Sequence, residues 1–276
     1  MDFVDFRTAS RTKDIGVLFP GWTAGERVAF FSPHDDDIAL GAGYLVLAVA
    51  AAGGVADIVI FSRGDAGYSA AEEKRAIVAT RRAEALAAYG HLGVPAENVH
   101  FFDLPDLSLM TYVNRHVPGA EGVLDKMLRL LRGRRVSRVV LPNPNLENWD
   151  HTAVFNLGVY GAPQAGDPIL ADLGEPFPVQ TFLAYAVWSD FEPAGWASSV
   201  RADAGILATR DEEARVTKAL AAFASQTRVM SATVAHERDK RRFADHFLEL
   251  YRRTELRQPV DHRPYFELLK KMKPRS

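Results

Sequence analysis

Short apolar runs rich in β-branched and aromatic residues alternate along the chain with longer stretches of helical periodicity. Arg27–Phe31 (RVAFF), Asp57–Ser62 (DIVIFS), Val99–Phe102 and Ser137–Leu141 (SRVVL) read as four strands. Between them the spacing predicts three helices: Ile38–Ala52 ended by Gly53-Gly54, Ala70–Leu92 ended by Gly93, and Val123–Leu131 ended by Gly133. Near-continuous apolar strands separated by helices imply βαβ units and a parallel sheet covered on both faces. Glycine and proline are frequent from 156 to 178, as in loops or an insertion, and a further strand is predicted over Thr181–Ser189 with a helix over Arg210–Ala224. The charged, amphipathic stretch 235–271 is expected to pack across one edge. The fold class predicted is α/β: Rossmann-like, doubly wound, mostly parallel, with helices on both faces. It forms a single domain over 1–276, with a core of about 25–226 and a C-terminal helical extension of about 235–276.

In such sheets ligands bind beyond the carboxyl ends of the strands, which directs attention to the loops after RVAFF, DIVIFS, VHFF and SRVVL. The first is Ser32-Pro33-His34-Asp35-Asp36-Asp37, leading into an apolar helix. Three adjacent carboxylates and an imidazole are costly there unless compensated. The helix dipole helps a little, a bound cation far more. One aspartate suffices for a helix cap, so the surplus points to a metal site. After SRVVL comes a second pair, Asp150-His151, entering the apolar TAVFNLGVY. If the two strands are neighbours, His151 faces His34 and Asp37, and two histidines with one aspartate suit a catalytic zinc with an open position. Taken alone, the pair reads better as a helix cap at Asp150 and an ordinary helical residue at His151.

Composition narrows the classes. Lysine plus arginine number 33 against 35 acidic residues, which argues against a nucleic-acid footprint. The absence of cysteine excludes disulfides, thiol nucleophiles and zinc fingers, so any metal must be held by His, Asp or Glu. The uncharged stretch 38–56 is read as a buried helix and turn rather than a membrane span, because three aspartates precede it and a glycine pair splits it. The opening MDFVDFRTAS has no apolar core of a secretory signal, so a cytoplasmic protein without membrane or nucleic-acid partners is expected.

SPHDDDIALGAG resembles the P-H-x-D-D-x-x-L-G-x-G signature of the LmbE-like/PIG-L family of zinc-dependent N-deacetylases, and NWDH is similar to its H-x-D-H motif. Arg81-Arg82-Ala83-Glu84 running to Leu92-Gly93, and Lys218 through Ser225-Gln226, resemble two further family segments in the same order. The resemblance implies a Rossmann-like fold and hydrolysis of an N-acetyl group, usually on a glucosamine unit, through a zinc-activated water. Carried over position by position, it makes His34, Asp37 and His151 the Zn2+ ligands, with another divalent metal possible on the same set. Asp36 becomes the general base, and Asp150 orients the neighbouring histidine. Two positions depart from the pattern. Asp35 stands at a variable position and is expected to face solvent. Asn148 replaces the first histidine of H-x-D-H, a residue assigned to transition-state stabilisation or proton donation. Asparagine donates a hydrogen bond but delivers no proton.

Around the same edge, Arg63 and Asp106 are candidates for binding substrate, Asp106 by position in the family pattern; each also reads as an ordinary turn residue. Tyr185, Trp188 and Trp196 read as packing or as stacking platforms for a sugar ring. Arg81 and Glu84 are expected to form a helical pair. His91, His100, His116, His236, His246 and His262 lack carboxylates at ligand spacing and read as structural or surface. The basic run 238–242, preceded by Glu237, reads as a solvated face, and the ending KKMKPRS as a frayed tail. The partner expected is a small N-acetylated molecule, a sugar derivative; oligomeric state is not encoded in any visible pattern. Three alternatives stand beside the deacetylase: an amidase cleaving a larger acyl group, a metal-binding protein without turnover because of Asn148, and a magnesium-binding receiver module, which leaves His34 and His151 unused.

Overall fold

The computed structural model describes residues 1–117, 119–145, 147–191, 201–229, 238–257 and 259–272. The parallel half of its sheet contains β3 (Arg27–Ser32), β4 (Val55–Ser62), β5 (Val99–Leu104), β6 (Arg138–Pro142) and β7 (Thr181–Tyr185). They lie in the order β5-β4-β3-β6-β7, all parallel. The chain moves outward one way from β3 through β4 to β5, then returns to the other side of β3 as β6. The strands β3 and β6 are therefore neighbours, and the crevice between their carboxyl ends is the point where strand order reverses. Open α/β sheets bind their ligands there.

Helices α1 (Asp37–Gly41), α2 (Gly43–Ala51), α3 (Ile77–His91), α4 (Val123–Gly133), α5 (Trp149–Asn156) and α6 (Arg210–Ala221) accompany the strands. Two apolar layers result. One packs Phe30, Ile58, Val140, Leu45 and Val216 together; the other packs Phe31, Phe61, Val139, Leu128 and Val154. Successive residues of β3 thus feed opposite layers, as a strand buried on both faces requires. The helix predicted over 38–52 is broken at Ala42 (φ −143°). Close approach explains the flanking glycines. A Cβ on Gly41 would lie 2.5 Å from the Tyr185 ring, and one on Gly43 2.9 Å from Val216.

The other half of the sheet is antiparallel and departs from the sequence pattern. The strand β10 (His246–Thr254) runs between β7 and β8 (Ala204–Ala208), and β1 (Asp2–Asp5) and β2 (Ser10–Thr12) continue the sheet beyond β8. A short strand, β9 (Arg242–Phe243), pairs with β10. Part of the C-terminal extension expected to be helical from about 235 is thus a strand inserted into the sheet. Its buried Glu249 accepts hydrogen bonds from the Tyr44 and Leu45 amides at the start of α2, a charge that disguises an interior position as a polar one. Among the described residues there, 238–240 and α7 (Arg263–Lys271) are helical, and α7 is exposed throughout. Within the basic run Asp239, Lys240 and Arg242 are exposed, as expected of a solvated face, but its other two members turn inward. Arg238 pairs with Glu213 beside Tyr44, and Arg241 donates to the Leu40 carbonyl. Trp196, His236, Glu237 and the last four residues lie outside the described residues. None of the described helices is long and apolar enough to cross a membrane.

Candidate metal centre and active site

Ser32 ends β3, and the chain turns through Pro33 and His34 so that Asp37 opens α1. Asp37 Oδ2 accepts the His34 backbone N–H at 2.8 Å. The same oxygen lies 3.2 Å from His34 Nδ1 and 3.3 Å from His151 Nε2, so it sits between the two imidazoles. The rings stand 5.5 Å apart between centroids and tilt by 43°. One ligand atom from each of His34, Asp37 and His151 falls within 4.8 Å of the others. Residues 117 positions apart in the chain therefore meet at the strand-order reversal, as the sequence pattern requires.

Both histidines have a carboxylate behind them. His34 Nε2 lies 3.4 Å from Asp150 Oδ2, and Asp150 is itself fixed by the N–H groups of Leu107 (2.7 Å) and Leu109 (3.0 Å). Leu107 adopts φ +60°, a left-handed conformation that costs a leucine roughly 1 kcal/mol and turns its amide toward Asp150. His151 Nδ1 lies 2.6 Å from Glu147 Oε2. The motif reading passed over Glu147. The only trace of it in the sequence is its placement four residues before His151. The cap of α5 is neither Asp150 nor a histidine. Asn148 fills that role, its Oδ1 accepting the Asp150 N–H at 2.8 Å.

Asp35 does not face solvent. It is buried against Arg81, whose Nε donates at 3.0 Å and whose Nη2 also reaches it, while the same Nη2 lies 3.8 Å from Asp36. Arg81 therefore does not pair with Glu84. That glutamate accepts the Ser225 N–H and hydroxyl, tying α3 to the turn after α6. Arg63 is exposed and bonded to Asp65. Asp106 accepts the N–H groups of Gly64 (3.0 Å) and Ala66 (2.9 Å), stapling the loop after β4 to the one after β5. Tyr185 is buried and donates to the Phe31 carbonyl, so it offers no face to a ligand, whereas Trp188 is partly exposed. His100 and His116 do have carboxylate partners, Asp57 and Asp125, both away from this centre.

The electrostatics ask for positive charge. Five carboxyl groups (Asp35, Asp36, Asp37, Glu147 and Asp150) gather around one guanidinium and two imidazoles. Burial alone would lower both histidine pKa values. Hydrogen bonds to Asp150 and Asp37 instead carry His34 well above its ordinary value, and Asp37 lifts His151 to about 9. Burial would likewise raise Asp37, but the charge of His151, and then His34, holds it below the usual carboxylate range. Asp36 is raised, burial outweighing the nearby Arg81. Two protons on the imidazoles are one way to balance this cluster. A divalent cation on the same nitrogens is another, and it displaces those protons on binding. The donor set, two imidazoles and a carboxylate with room for a further ligand, fits such an ion.

A Rossmann-like α/β sheet carrying a His-Asp-His cluster at its switch point defines the class. Residues 29–160 match the family model described as PIG-L, GlcNAc-PI de-N-acetylase. The chain thus carries a PIG-L (LmbE-like) domain over those residues, which include all of His34, Asp36, Asp37, Asp150 and His151. No curated protein matched the chain by sequence. Among solved structures it is similar to the conserved protein TT1542 from Thermus thermophilus, at 24% identity over 84% of this chain and 96% of that one, TM-score 0.63. It is also similar to N,N'-diacetylchitobiose deacetylase from Pyrococcus horikoshii, at 16% identity over 87% of each chain, TM-score 0.67. A third likeness is to GalB, the 4-carboxy-2-hydroxymuconate hydratase of Pseudomonas putida, at 19% identity over 86% of this chain and 99% of that one, TM-score 0.57. At these identities the likeness establishes the fold, and that fold hosts both a deacetylase and a hydratase.

Proposed function

We propose that this protein is a metal-dependent deacetylase-type hydrolase that removes an N-acetyl group from a small sugar-type substrate, with zinc held by His34, Asp37 and His151. The observation that carries the reading is the convergence of those three ligand atoms within 4.8 Å, next to a buried Asp36. When bound, the cation supplies Lewis acidity and a water acidified to near neutral pH. The protein's own groups supply the rest. Asp36 is outside the ligand set and beside it, and burial raises its pKa above the ordinary carboxylate value, which makes it a stronger acceptor for a proton of the attacking water. The same carboxyl then returns that proton to the leaving amine, a role Asn148 has no proton to fill. Asp150 keeps His34 oriented, and Arg81 keeps the Asp35–Asp36 segment in place without occupying the centre.

A second reading, cleavage of a larger acyl amide, is supported by exposed apolar side chains on the segments that hold the site carboxylates. These are Leu107 and Trp149, flanking the contacts to Asp150, and Trp188, whose amide binds Glu147. One assay tests both readings. The protein is incubated with a panel of N-acetylated sugars and their longer N-acyl analogues, with and without a chelator, and free acid and free amine are quantified. We expect acetate and amine in equal amounts, lost with chelator and restored by zinc. Preference for longer acyl chains favours the second reading. Water addition without amine release, or turnover indifferent to chelation, contradicts both.

A further inference from the structure

The ligand set explains His34, Asp37 and His151 but not the glutamate behind them. The Glu147 side chain has no exposed surface, although it stands in the loop between β6 and α5. Its two oxygens do different things. Oε2 faces His151 Nδ1 at 2.6 Å, and Oε1 accepts three consecutive N–H groups, from Val187 (2.8 Å), Trp188 (3.0 Å) and Ser189 (3.1 Å). A carboxylate oxygen accepts hydrogen bonds, so the His151 proton resides on Nδ1. A cation that displaces the proton from Nε2, the nitrogen 3.3 Å from Asp37, then finds its lone pair there while Nδ1–H stays bonded to Glu147. His34 shows the same arrangement in weaker form, with Asp150 behind its Nε2.

We propose that Glu147 is a positioning residue. It fixes the tautomer and ring orientation of His151 as a metal ligand, and it ties that ligand to the 187–189 segment after β7, which carries the exposed Trp188. The inference rests on His34, Asp37 and His151 being metal ligands. The loop amides alone do not need an anion this deep, and a carboxylate shared between a ligand histidine and a run of amides couples the cation site to the chain at its rim.

The test compares Glu147→Gln with the parent protein in zinc affinity, measured by competition with a chromophoric chelator. Glutamine keeps a carbonyl oxygen for the three amides but presents no second acceptor to Nδ1–H. We expect zinc affinity to fall by roughly 10- to 100-fold, the range typical of such outer partners, while the thermal midpoint of the metal-free protein changes little. A folded Glu147→Gln protein with parental zinc affinity overturns the proposal. If the variant does not fold, long-range proton–nitrogen NMR spectra of the zinc-loaded parent decide the matter. A protonated Nδ1 and a zinc-bound Nε2 on His151 support the assignment, and zinc on Nδ1 overturns it. A parent protein that binds no zinc removes the ligand reading itself, and so is distinguished from failure of the Glu147 role.

Discussion

Replacing Arg81 by methionine tests whether the acidic loop is held together by charge. The Arg81 side chain is only 5% exposed and Asp35 6%, so the substitution leaves a carboxyl buried without its counter-ion. Breaking a buried pair from one side costs roughly 3–5 kcal/mol. The low end applies here: burial pushes Asp35 up to about 7 against the pull of Arg81, so the orphaned carboxyl can take up a proton. At roughly 2 cal/mol/K of unfolding entropy per residue, 276 residues give about 0.6 kcal/mol/K, so a loss of about 3 kcal/mol lowers the melting temperature by about 5 °C. The assay is calorimetric unfolding of the parent, Arg81→Met and Asp35→Asn/Arg81→Met proteins in chelator at neutral pH. The double variant is expected to recover most of the loss, because the charge that needed Arg81 is gone. An Arg81→Met protein melting within about 1 °C of the parent, or a double variant no better than the single, refutes the reasoning.

Two further outcomes follow from the same structure. Asp36→Asn is expected to abolish acetate release while zinc affinity stays within a few-fold of the parent, since Asp36 is not among the ligands; normal turnover in that variant removes it as the base. Glu26 links the start of β3 to β6 by accepting from Ser137 Oγ (2.6 Å) and Arg138 Nε (2.7 Å). Burial works against its ionisation, but these bonds outweigh burial and hold it down to about 2. A depressed carboxyl stabilises the fold above its unfolded pKa, here 4.5, and that contribution is lost as pH falls from about 4.5 toward 2. Denaturant titrations across that window should show a shallower acid slope for Glu26→Gln than for the parent, and equal slopes contradict the assignment.

What could be read from the sequence follows a physical division. The parallel strands announce themselves because both faces are buried, so RVAFF and SRVVL are apolar without interruption. The chemistry at their carboxyl ends is visible because His34, Asp36 and Asp37, and again Asp150 and His151, are contiguous in the chain. The antiparallel half was obscured because HFLELYRRT mixes charge with apolar residues, and its buried Glu249 is compensated by α2 amides that no local pattern reveals. The destinations of Arg81 and Glu147 were hidden for the same reason. Arg81 reaches back 46 residues to Asp35, and Glu147 reaches forward 40 to 42 residues to the chain after β7. In each case the partner is set by tertiary packing, and for Arg81 helical spacing suggested the nearer Glu84.

The central claim is that two histidines and an aspartate hold one divalent ion at the point where strand order reverses. Anomalous diffraction at the zinc edge from zinc-loaded crystals tests it most directly. The account requires a single strong peak about 2.0–2.2 Å from a nitrogen of His34, an oxygen of Asp37 and Nε2 of His151, with a position left for water. No peak there, or an ion held by other residues, contradicts it.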